Sequence, residues 1–150
     1  IAFLFEYQDI KGAFLGDSKP SVCIEGLKKF NIKDVYSLDF IKLSHHGSIS
    51  NTNLKLLKKL STVNYLLSTN GHEKKVPSKV IIAKLLRNCQ EENKTETILY
   101  CNYDWRESQY HNKYFTQKDW QLYIDTGILK LNLLGEEGIS VKDGLILYGK

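Results

Sequence analysis

The stretch DFIKLSHHGS, Asp39–Ser48, decides how the chain is read. Its apolar alternation over Asp39–Ser44 is that of a β-strand. The alternation stops where His45 and His46, two of the four histidines in the chain, stand side by side before a glycine and a serine. A strand that ends in such a loop puts titratable and metal-ligating side chains at the margin of a sheet, where layered α/β folds carry their chemistry.

Working outward, strand and helix signals alternate over the first hundred residues. Ile1–Tyr7 and Gly12–Leu15 read as two strands joined by a hairpin turn over Gln8–Lys11. Ser18 and Pro20 open a helix that runs to Phe30, with Ile24, Leu27 and Phe30 on one face. Beyond HHGSIS, Asn51 or Thr52 caps a helix through Leu60, with Leu54, Leu57 and Leu60 inward and the lysines outward. VNYLLS (Val63–Ser68) is a further strand and TNGHEKKVP a polar loop. Pro77 starts a helix over Ser78–Cys89 that buries Ile81, Leu85 and Cys89, and Thr97–Cys101 is a fifth strand. After Tyr103 the sequence turns polar and aromatic and reads as an irregular insertion, with Tyr and Trp packing a satellite core. TGILKLNLLGEEGISVKDGLILYGK then gives two or three short strands. The expected organisation is an α/β domain with a mixed sheet flanked by helices over residues 1–105. An insertion and β-rich extension follow over 106–150.

Composition sets the outer limits. With 150 residues, 42% hydrophobic and 25% charged, the chain can bury a core and is neither disordered nor long and apolar enough in any run to cross a bilayer. IAFLFEY lacks the basic flank and cleavage site of a signal peptide. The chain opens on Ile1 and contains no methionine, so it is expected to be a piece of a longer protein. Three cysteines without metal-ligand spacing read as reduced thiols of a cytoplasmic protein. The net charge of +4 is mild. Lysines 55, 58, 59, 74, 75, 79 and 84 form either a face that steers an anionic substrate or an ordinary solvated surface.

Three strand-end loops hold unusual polar residues: GDS at 16–18, SHHGS at 44–48 and STNGH at 68–72. A carboxylate after a glycine can approach a cation closely, and an imidazole can serve as ligand, acid or base. If the strands lie side by side, Asp17 and His45 or His46 meet at one edge as a metal or hydrolytic site. Each loop also has an ordinary reading, as turn chemistry or polar surface.

Taken in order, IAFLFEY…GAFLGDS, a helix, LDFIKLSHHGS, a helix, VNYLLSTNG and PSKVIIAKLL resemble the C-terminal half of a metallo-β-lactamase-fold hydrolase. The branch is that of the hydrolase domain of bacterial DNA-uptake channel proteins, and the resemblance covers residues 1–105. It implies an αββα sandwich holding one or two zinc or manganese ions. Asp17 is then the metal ligand, and His45 or His46 the catalytic residue that contacts substrate, donates a proton or helps hold the metal. Ser48, Asn70 and His72 are substrate-binding candidates. The family's chemistry is metal-activated water attacking an ester or phosphodiester. The implied partners are an anionic substrate, nucleic acid included, and the absent N-terminal half of the same domain, which carries the HxHxDH ligand cluster. Without that half, the 150-residue chain is expected to be inactive. Where relatives place a last histidine ligand before proline, this chain has Val76, which weakens a second metal position. Two alternatives stand beside the hydrolase: a catalytically degenerate scaffold or regulatory module, and a nucleic-acid-binding module built on the lysines and aromatic residues.

Overall fold

A computed structural model describes residues 1–69, 76–104, 114–133, 139–142 and 145–148. Strand β1 (Phe3–Tyr7) turns back through Gln8 and Asp9 into β2 (Ile10–Phe14), with Tyr7 opposite Ile10. The turn is shorter than the expected Gln8–Lys11, because Gln8 takes a left-handed φ of 52° and closes it in two residues. Helix α1 (Pro20–Lys29) starts on Pro20 as read, but its cap residue is Lys19 and no side chain caps it, so Ser18 does not. Then come β3 (Tyr36–Ser37), β4 (Phe40–Lys42), a single 3-10 turn over Ser44–Gly47 and α2 (Leu54–Lys59). The cap of α2 is Asn53, whose Oδ1 accepts from the Leu56 N–H at 2.9 Å, and not Asn51 or Thr52. This start turns Leu56 and Leu57 inward, with Leu54 partly buried, while Leu60 is buried in the next strand, β5 (Leu60–Ser61).

Strand β6 (Asn64–Leu67) leads to α3 (Lys79–Glu91), which Ser78 caps and which buries Ile81, Leu85 and Cys89 as read. Strand β7 spans Thr97–Cys101. The stretch read as an irregular insertion contains helix α4 (Gln117–Ile124), held at its start by a capping box between Thr116 and Asp119. After it come β8 (Leu129–Leu133) and a hairpin of β9 (Ile139–Lys142) and β10 (Leu145–Tyr148).

Six strands form a mixed sheet in the order β1-β2-β4-β6-β7-β8, with β1 antiparallel and the rest parallel. The sheet therefore does not end at β7: β8 extends it, with Leu99 opposite Leu131. β3 and β5 make a separate parallel pair. Alternation along each strand sorts the side chains into two faces. Leu4, Ala13, Ile41, Tyr65, Leu99 and Leu131 stand in register across all six strands. They join Cys23 and Leu27 of α1, Leu56 and Leu57 of α2, Ile81 and Leu85 of α3, and Trp120 of α4 in one core. Each such fully buried aliphatic side chain contributes about 1.5–3 kcal/mol. The four helices therefore cover one face. The opposite face carries the row Phe3, Phe14, Lys42, Leu66, Tyr100 and Asn132. Trp120 and Phe115 stack at 4.2 Å inside the main core rather than in a satellite.

Cys23, Cys89 and Cys101 are unpaired and buried. Among the described residues no helix is long and apolar enough to cross a membrane.

Tyr65 is 1% exposed, and burial pushes its phenol far above its ordinary value of 10.0. The unfolded chain loses this proton near pH 10 while the folded chain keeps it, so stability is full below that value and falls as pH rises above it. Cys101, buried in the same core, acts in the same direction from its ordinary 9.0 upward. In Tyr65→Phe, denaturation midpoints measured between pH 9 and 11 are expected to fall less steeply, by up to about 1.4 kcal/mol per pH unit. An identical slope would show that the phenol is not buried.

Candidate functional site

β2 and β4 are parallel neighbours, so the loops that leave their C-terminal ends emerge at one edge of the sheet. The loops are sewn together by main-chain acceptors. The His45 N–H donates to the Gly16 carbonyl at 2.7 Å. The Ser44 hydroxyl, fully buried, lies 2.9 Å from the Gly16 carbonyl and 3.0 Å from that of Ser18. Asn51, also buried, donates its amide to the Asp17 carbonyl at 2.9 Å. Asn51 thus serves the site and not the helix start. Gly16 is demanded by its place: its φ is +51°, and a Cβ there would lie 1.9 Å from the Ile1 carbonyl oxygen.

The paired histidines occupy left-handed backbone, φ 44° at His45 and 55° at His46. That conformation is uncommon outside glycine, though histidine adopts it more readily than most residues. His46 Nδ1 lies 2.5 Å from the Ser68 carbonyl, at the end of β6. A carbonyl only accepts, so Nδ1 is the donor in this contact, and of the two neutral tautomers it is the one that leaves the lone pair on Nε2. This is the arrangement in which a histidine serves as ligand or base, held in orientation by a main-chain oxygen. The sequence alone left His45 and His46 undecided; this bond distinguishes His46.

Asp17, His45 and His46 line one cavity of about 270 Å³, together with Lys42, Phe3 and Phe14. The carboxylate and imidazoles singled out from the sequence therefore converge, with Asp17, His45 and His46 all exposed to solvent. Lys42 was not singled out. In a strand that alternates, a lysine reads as an ordinary outward position, and only the register reveals that it stands between Phe14 and Leu66. Burial lowers the Lys42 ammonium from its usual range, and the Asp17 charge partly restores it. Its one hydrogen bond among the described residues is a long one, 3.4 Å to the Leu43 carbonyl.

Ser48 is not among the residues lining the cavity; its hydroxyl meets that of Ser50 at 3.3 Å. Asn70 and His72 fall outside the described residues. Val76 is a buried apolar residue and offers no ligand. The lysine face is largely committed to structure. Lys58 pairs with Glu91 at 2.8 Å and Lys79 with Asp119 at 3.2 Å, Lys84 donates to the Ile49 and Thr52 carbonyls, and Lys59 donates to that of Lys33. Lys74 and Lys75 lie outside the described residues. Trp120, Tyr65 and Tyr100 are buried, so these rings do not present stacking surfaces for bases.

The donor chemistry fits part of a metal site. A carboxylate oxygen and an imidazole nitrogen suit a borderline divalent cation such as zinc or manganese. Among the described residues, no three His, Cys, Asp or Glu side chains gather as a group that could hold a metal ion. Comparison with known proteins finds no matching family model, no matching curated protein and no matching solved structure.

Proposed function

We propose that the chain is part of a metal-dependent hydrolase of the metallo-β-lactamase fold that acts on a phosphodiester such as nucleic acid or a nucleotide. The observation that carries this reading is the convergence of Asp17, Lys42, His45 and His46 on one cavity at the ends of adjacent parallel strands. The αββα sandwich is part of the same proposal. A largely parallel sheet is ordinarily covered on both faces. Here the helices take one face, while Phe5, which does not line the cavity, stands exposed on the other, where a second sheet would pack. A cytoplasmic setting accords with three unpaired thiols.

A divalent zinc or manganese ion held at Asp17 would acidify water and offset charge on the phosphodiester. The chain's own residues do the rest. Asp17 supplies the carboxylate, in a loop whose carbonyls are fixed by Ser44 and Asn51. His46, held through its Nδ1 on the Ser68 carbonyl and lining the cavity, would take or give a proton near substrate through Nε2. Lys42 adds positive charge beside the carboxylate.

One observation favours a second reading, a catalytically degenerate scaffold. Val76 stands, buried, where the resembled family places a ligand before proline. The test is dialysis of the full-length protein against zinc or manganese, followed by hydrolysis of bis(p-nitrophenyl) phosphate. Retained metal with hydrolysis abolished by chelator and restored by manganese is the expected result. Retained metal without turnover supports the scaffold. No retained metal, or hydrolysis indifferent to chelator, rejects the hydrolase.

A further inference from the structure

We propose that Lys42 and the Phe3–Phe14 ring pair form a subsite for one nucleotide unit, with Lys42 taking a phosphoryl oxygen and the rings taking the base. The assignment rests on the hydrolase reading only for the role of the neighbouring Asp17.

Three observations carry it. Lys42 lies on the sheet face that the helices leave open, directly in register with Phe14, and both line the cavity that holds Asp17. Among the described residues its ammonium makes one hydrogen bond, a long one of 3.4 Å to the Leu43 carbonyl, so its donors remain available to an incoming anion. Phe3 and Phe14 are nearly parallel, 4.9 Å apart at 14°, and Phe3 is half exposed at the cavity wall. An ammonium is a point charge that accepts phosphoryl oxygens without demanding planarity, and an exposed ring beside it is a platform for any base. A phosphoryl group can present one oxygen to Lys42 and keep the others away from the Asp17 carboxylate. Asp17 opposes every anion in this cavity, and removing its charge therefore strengthens phosphate binding.

The test titrates the metal-free chain, in chelator, with inorganic phosphate, adenosine monophosphate and benzoate, reading the ring-proton NMR shifts of His45 and His46. Lys42→Met preserves length and removes a partly buried charge, so it leaves the fold standing. It is expected to weaken phosphate and adenosine monophosphate at least about tenfold. Phe3→Ala, at an exposed position, is expected to weaken adenosine monophosphate about fivefold or more and leave phosphate unchanged. Asp17→Asn is expected to tighten phosphate. Absence of saturable phosphate binding, equal binding by Lys42→Met, or benzoate binding as tight as adenosine monophosphate overturns the subsite. If the subsite behaves as expected while the full-length protein retains no metal, the hydrolase reading fails and the nucleotide subsite stands.

Discussion

Trp120→Ala is expected to lower the unfolding free energy by about 3–5 kcal/mol, the range for deleting a large buried aromatic side chain. Trp120 is 1% exposed, stacks on Phe115 at 4.2 Å and belongs to the same core as Ile81, Leu85 and Leu99. Its removal leaves a cavity between α4 and the sheet that neighbouring helices, already packed, cannot fill. The melting temperature is expected to drop by about 10 °C, given the usual scaling for a chain of this size. Because α4 precedes β8, the loss should reach the edge of the sheet, and amide exchange in Leu129–Leu133 should accelerate with it. A melting temperature within a degree or two of the parent would mean that residues 114–133 are an appendage rather than part of the domain.

On the proposed hydrolase reading, Asp17→Asn is expected to reduce retained zinc or manganese and phosphodiester hydrolysis by about 100-fold or more. Loss of groups that merely orient ligands already costs about 10–100-fold in metal affinity or activity. The change is isosteric and Asp17 is exposed, so the melting temperature should hold. Neither the Asn51 amide nor the Ser44 hydroxyl contacts the altered side chain: they bind the main-chain oxygens of Asp17, Gly16 and Ser18. A fall in function with an intact melting profile therefore reports the carboxylate itself. Unchanged metal content in this variant would remove Asp17 from the assignment.

The α/β layering was legible because its signals are local. Thr97–Cys101 is one uninterrupted β-rich run and emerges with those bounds, and the inward set Ile81, Leu85 and Cys89 has helical spacing that nothing contradicts. Helix α4 escaped notice because its signal is concentrated in few residues. Thr116 and Asp119 make a full capping box, yet Trp120 is the single buried residue between Gln117 and Ile124, set within polar flanks. In NTN, Asn51 through Asn53, each residue can cap a helix. Which one does so depends on Asn51 being drawn to the Asp17 carbonyl, a contact across 34 positions. The site was visible in part for the same reason. Asp17 and the histidines announce themselves by type and by strand-end position, whereas Lys42 becomes notable only once Phe14 and Leu66 are known to flank it.

The alternation within β4 has a consequence for descent. Ile41 faces the helices and Lys42 the cavity, on consecutive positions of one three-residue strand. Gain or loss of a single codon there would exchange the two, thrusting an ammonium beneath the helix layer and an isoleucine among Asp17 and the histidines. Descendants of this sequence can therefore retune the cavity by replacing residues but not by inserting or deleting them in that strand, while length variation is free to accumulate in surface connections.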